Sequence, residues 1–178
     1  MNIRHRSALA IALLAAVTLA QANQPTTWQV AKPVAGQSLQ TATLPSTTLN
    51  GDSAHTASLS VACQPNAEPY AYLSIGKSAN FNTTPFEGAA GAGIKEKLVS
   101  VDTAKAAAKY NASGAAQGPN FAFSLQPTKK ELAAWLSNAG KPLKVEVASA
   151  DGKGKPLVAQ FNLPSDAAAL KQVLQPCL

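Results

Sequence analysis

Residues 57–76 read ASLSVACQPNAEPYAYLSIG, and the fold turns on how this stretch is read. Leu59, Val61 and Cys63 alternate with Ser58, Ser60 and Ala62, the period of a strand with one face in a core. The segment QPNAEP, with two prolines and an asparagine, reads as a turn. In YAYLSIG, Tyr70, Tyr72 and Ser74 oppose Ala71, Leu73 and Ile75, so a returning strand is expected. An antiparallel hairpin therefore opens the domain.

Downstream, IKEKLVSVD alternates again, KAAAKYNAS is expected as a strand despite its alanines, and PNFAFSLQ is a further strand. The loop NFNTTPFEGAAGAG ends in small, flexible residues. The period then changes. In PTKKELAAWLSNAGKP, Thr128 precedes Glu131 by the capping-box spacing, Leu132, Trp135 and Leu136 share a helical face, and Gly140 with Pro142 closes the helix. PLKVEVASADGKGKPLVAQFNLP is a strand pair turning at Asp151-Gly152. Leu143, Val145 and Val147 face one way, and so do Leu157, Ala159, Phe161 and Leu163. A final helix, capped by Ser165, aligns Leu170, Val173, Leu174 and Cys177, the last just beyond Pro176. The expected fold is a single α+β domain: an antiparallel sheet or sandwich with a mid-chain helix and a C-terminal helix tied back by a disulfide.

Upstream of the hairpin the chain is polar. Residues 23–55 are rich in Thr, Ser, Gln, Ala and Pro and are expected as a loosely ordered arm pinned by Trp28, in which TATLPSTTLNG can supply a short strand, with the α+β domain at 56–178. Residues 1–22 have the layout of a secretory signal peptide: Arg4 and Arg6, an apolar run from Ala8 to Ala20 broken only by Thr18, then Ala20-Gln21-Ala22. The run is short of the roughly 20 residues that span a bilayer. Cleavage after Ala22 and a periplasmic location are expected, with no membrane insertion of the processed chain.

Processing removes both arginines and His5, so the formal charge falls from +6 by two and every remaining basic side chain is lysine. Nucleic-acid recognition leans on arginine, and no nucleic-acid partner is expected. Cys63 and Cys177 are the only cysteines. In an oxidising compartment such a pair is expected as one structural disulfide; redox pairs usually sit as Cys-x-x-Cys.

Catalytic constellations are weak. Ser74 and Lys77 match Ser-x-x-Lys, but that chemistry needs both on a helix turn, and here the match straddles a strand end. The GAAGAG run lacks phosphate-loop spacing and leads into a strand. After processing, His55 is the sole histidine, beside Asp52 and Ser53, too close in sequence for a catalytic triad. Zinc sites want three or four nitrogen or sulfur ligands. Neither an enzyme nor a metal or other cofactor is expected.

The order of elements resembles the periplasmic accessory proteins of type VI secretion known as the VasI or TagO family. The matching positions are Leu59, Val61, Cys63, Val101, Asp102, Ala159, Phe161, Leu163, Leu170, Leu174 and Cys177, over about Leu59 to Leu178. Ala62 stands where the family often has a basic residue, and NLPSD replaces a more usual Asp-Leu-Ser-Gly. The resemblance implies a non-enzymatic accessory protein that contacts another envelope protein, such as a secretion membrane-complex component, or the cell wall. An inhibitor or immunity protein that blocks a toxin or cell-wall hydrolase is the alternative. Tyr70 and Tyr72 on the outward strand face, with Lys153 and Lys155 on a hairpin tip, are the candidate partner-binding residues.

Overall fold

The computed structural model describes residues 27–31, 38–52, 57–76, 81–87 and 95–178. The strands in chain order are β1 (Gln29–Val30), β2 (Gln40–Pro45), β3 (Thr48–Leu49), β4 (Ala57–Cys63), β5 (Tyr70–Gly76), β6 (Lys95–Thr103), β7 (Ala107–Gln117), β8 (Asn120–Leu125), β9 (Pro142–Val147) and β10 (Leu157–Asn162). Helix α1 (Lys129–Ser137) joins β8 to β9, and α2 (Ala168–Leu174) follows β10. The strand order is β1-β2-β4-β5-β8-β7-β6-β9-β10-β3, with every neighbouring pair antiparallel. The domain is the expected single α+β unit, its sheet curled into a half-barrel.

Two corners make the curl. The first is β7, whose residues 107–112 pair with β6 while residues 113–117 pair with β8. Gly114 sits in that second half because the Phe121 ring lies over it: an added Cβ would meet Phe121 Cε1 at 2.5 Å and strike the Ala122 carbonyl oxygen. The second corner is the step from β2 to β3. Buried Ser46 holds it, its backbone N–H donating to the Ala57 carbonyl at 2.8 Å while its Oγ accepts from the Ala57 N–H at 2.7 Å. One residue on, the Thr47 N–H donates to the Gln160 carbonyl at 2.7 Å, so the chain has left β4 for β10.

These strands revise the reading of residues 23–55 as a loosely ordered arm. The arm's described part supplies β1, β2 and β3, Ala42, Leu44 and Leu49 are at most 1% exposed, and Trp28 is buried. Residues 1–26, where the signal peptide is expected, lie outside the described residues.

The inward faces of both halves form one core, in which Leu59, Leu73, Phe123, Val145 and Phe161 are fully buried. The hairpin register is as the alternation requires, Leu59 opposite Leu73 and Ser60 opposite Tyr72. On the other half, Val145 lies opposite Ala159 and Leu143 opposite Phe161. Thr128 caps α1 in a full capping box with Glu131. Ser165 does not cap α2; the cap position is Ala167, and Asp166 Oδ1 accepts the Ala168 N–H at 2.8 Å. Helix α2 packs on β4, β2 and β1 through Leu170, Val173 and Leu174. Cys177 then bonds to Cys63 across 114 residues, with Cα atoms 6.0 Å apart. None of the described helices is long and apolar enough to cross a membrane.

Candidate functional site

The pleat sends alternate residues of each strand outward. One row of register partners crosses six strands of the first half-sheet: Gln29, Thr43, Ser60, Tyr72, Ser124 and Ser113. Gln29 is exposed and the other five are half-buried. Thr43 Oγ1 and Ser60 Oγ are hydrogen-bonded at 2.9 Å. Beside Tyr72 on the same face stands Tyr70, with ring centroids 5.1 Å apart and the planes at 70°, an edge-to-face pair. Burial first, and then Tyr70, push the Tyr72 phenol up to about 12.

The row is neutral, and so are its strands. β1, β2, β4, β5 and β8 contain no Asp, Glu, Lys or Arg on either face, and neither do residues 113–117 of β7. Every charged residue in a strand belongs to the other half: Lys95, Glu96, Lys97 and Asp102 on β6, Lys109 on the first part of β7, and Lys144 and Glu146 on β9. There, Lys144 Nζ lies 3.2 Å from Asp102 Oδ2 and 3.3 Å from Glu146 Oε2. These contacts, Asp102 foremost, raise the Lys144 ammonium above its ordinary value.

At the end of the row β7 parts from β8 to join β6. The splay opens a cavity of about 340 Å³ lined by Lys109, Tyr110, Asn111, Ser113, Ser124 and Gln126. Asn111 is oriented there, its Oδ1 accepting the Lys97 N–H at 3.2 Å. The Tyr110 hydroxyl is buried with no hydrogen bond of good geometry. Burial and then the nearby Glu131 carboxylate move its ionisation upward. Ser124 belongs to both features, as a wall of the cavity and the register partner of Tyr72. Row and cavity are therefore one continuous surface.

The other predicted residues are placed apart from it. Lys153 and Lys155 are exposed on the loop between β9 and β10, and Lys155 lines a separate cavity of about 500 Å³ with Phe81, Asn82, Pro85 and Lys95. That loop is built around Asp151, whose carboxylate is held below its usual range by hydrogen bonds from Ser149 and from the backbone of Lys153 and Gly154. Ser74 is half-buried on β5, whereas Lys77, Ser53, His55 and the run from Gly88 to Gly93 lie outside the described residues. Among the described residues no three His, Cys, Asp or Glu side chains cluster in a way that could hold a metal. The sequence reading named Tyr70 and Tyr72 as candidates but passed over Thr43, Ser60, Ser113, Ser124 and Gln126. The usable signal was the complete lack of charge in successive strands, on faces that water would have tolerated as charged.

No protein-family model matches the chain, and no curated protein or solved structure matches it significantly.

Proposed function

We propose that the protein is an exported, disulfide-locked binding module, without catalysis of its own, that engages a component of the cell envelope through the outer face of its first half-sheet. The observation that carries this reading is the partition of charge. All strand-borne charge is on one half, and the other half presents a six-strand neutral row with a half-buried tyrosine pair. A rigid frame with accessible aromatic groups is what a recognition face needs. Export is supported by the signal-peptide layout of residues 1–22 and is consistent with paired cysteines. The resemblance to type VI secretion accessory proteins supplies the more specific role, contact with a secretion membrane-complex component or with the wall; it rests on the sequence pattern from Leu59 to Leu178. The test is capture from a periplasmic extract by wild type, by Tyr70→Ala/Tyr72→Ala and by Lys153→Ala/Lys155→Ala, each checked for an intact fold. Loss with the tyrosine pair alone supports the reading. Equal capture by all three moves the face elsewhere.

A further inference from the structure

The row and its cavity also say what kind of molecule fits them. We infer that this surface binds a neutral glycan chain, specifically the N-acetylated glycan strand of the cell wall; the inference rests on the binding-module reading above.

Three observations carry it. The first is the chemistry of the row. It offers hydroxyl and amide groups that both donate and accept, with an aromatic pair among them and no charge. A pyranose chain has the matching character: a rim of hydroxyls that donate and accept, and an apolar C–H face that lies on an aromatic ring. A protein partner fits less well, because interface anchors are drawn from Trp, Tyr and Arg while serine and threonine are under-represented among them. A nucleic acid would need cations along the row, which has none.

The second observation is length. Six strands spaced at about 4.8 Å give a row of roughly 24 Å, suited to several linked rings rather than one. The third is the cavity at the row's end, where Gln126, Asn111 and the Lys109 ammonium converge with Ser113 and Ser124. These groups can satisfy ring substituents that a flat sheet cannot reach, and an N-acetyl carbonyl is a suitable acceptor for the amide and ammonium donors. On the export reading, the wall glycan is a chain of N-acetylated sugars within the protein's reach.

The experiment is titration of the disulfide-bonded exported chain with chitohexaose, followed by amide NMR. Shifts are expected at Thr43, Ser60, Tyr72, Ser124 and Gln126 but not at Lys144 or Glu146, with affinity unchanged by added salt because no charge pair is screened. Tyr72→Ala is expected to weaken binding about tenfold or more, whereas Tyr72→Phe, which keeps the ring, retains most of it. Should Tyr72→Ala fail to fold, Gln126→Ala, at an exposed position, serves instead. Cellohexaose binding without chitohexaose binding overturns the wall assignment. Shifts confined to other surfaces overturn the site. If no glycan binds while the tyrosine pair is still needed to capture an envelope protein, the glycan inference fails and the binding module stands. If neither is seen, both fail.

Discussion

Replacing Cys63 and Cys177 together by alanine removes a cross-link that closes 114 residues of chain. Its effect is worked from that separation. The loop-closure relation gives about 4.8 kcal/mol at 25 °C for a loop of this size. The folded state has independent reasons to survive, since Leu170, Val173 and Leu174 of α2 are at most 1% exposed and each buried side chain of this kind contributes about 1.5–3 kcal/mol. The helix is thus expected to stay docked while the unfolded chain gains freedom. Urea unfolding measures this. With an m-value of about 2 kcal/mol/M, a loss of that size lowers the midpoint by about 2 M. The slope itself is expected to rise, because the uncrosslinked denatured chain is more expanded. Alanine also deletes two buried sulfurs, so wild type under reducing conditions, which keeps both atoms, is the matched comparison. A loss below about 1 kcal/mol in both samples, with an unchanged slope, would refute the reasoning.

Gly114→Ala is expected to cost about 1–3 kcal/mol, because its Cβ meets the Phe121 ring and the Ala122 carbonyl; a thermal melt within a degree of wild type would show that β7 can yield. Thr128→Ala removes one side of the capping box and is expected to cost about 1 kcal/mol by urea unfolding, with no change at the neutral row. The Tyr72 phenol ionises near 12 in the folded chain against 10.0 for the ordinary group. Its contribution to stability is therefore complete below pH 10 and is lost as pH rises through 12; Tyr72→Phe should flatten that decline, with the similarly raised Tyr110 leaving a remainder. Intact mass of the exported protein should begin at Asn23, and a mass that retains Met1 to Ala22 would end the export reading.

Where the residues decide structure locally, the sequence was readable. Alternation of Leu59, Val61 and Cys63 against serines fixes which face of β4 is inside, and Thr128 with Glu131 marks the start of α1. The alanine-rich stretch around Tyr110 was placed as a strand, but its division between two partners depends on β6 and β8 arriving from different sides. The arm was misjudged for a related reason. Gln40–Pro45 carries only Ala42 and Leu44 as apolar residues, enough to suggest a short strand but not its place in the sheet, which β4 provides. Ser165 resembled a cap, yet Asp166, one residue later, makes the hydrogen bond to the α2 backbone. The neutral row was least legible, since it exists only in the register of strands brought together from residues 29 to 124.

The position of that row also bears on how the protein meets a partner. A sheet can recruit another molecule through its edge or through its face. Among the described residues, both edges of the ten-stranded order are two-residue strands, β1 and β3, and strands this short are poor templates for a further strand. On the proposed reading recognition uses a face, and the outer faces of the two halves differ in what they can hold. The second half carries the ion-paired Lys144, Asp102 and Glu146 and keeps that side solvated. The strands of the first half are free of charge, and the disulfide from β4 to the end of α2 braces the strand on which Ser60 sits. A neutral ligand bound there gains from hydroxyls held in register, such as Thr43 and Ser60, which bond to each other at 2.9 Å. Binding must then exchange that bond for bonds to the ligand, which favours a partner rich in both donors and acceptors over one that only donates or only accepts.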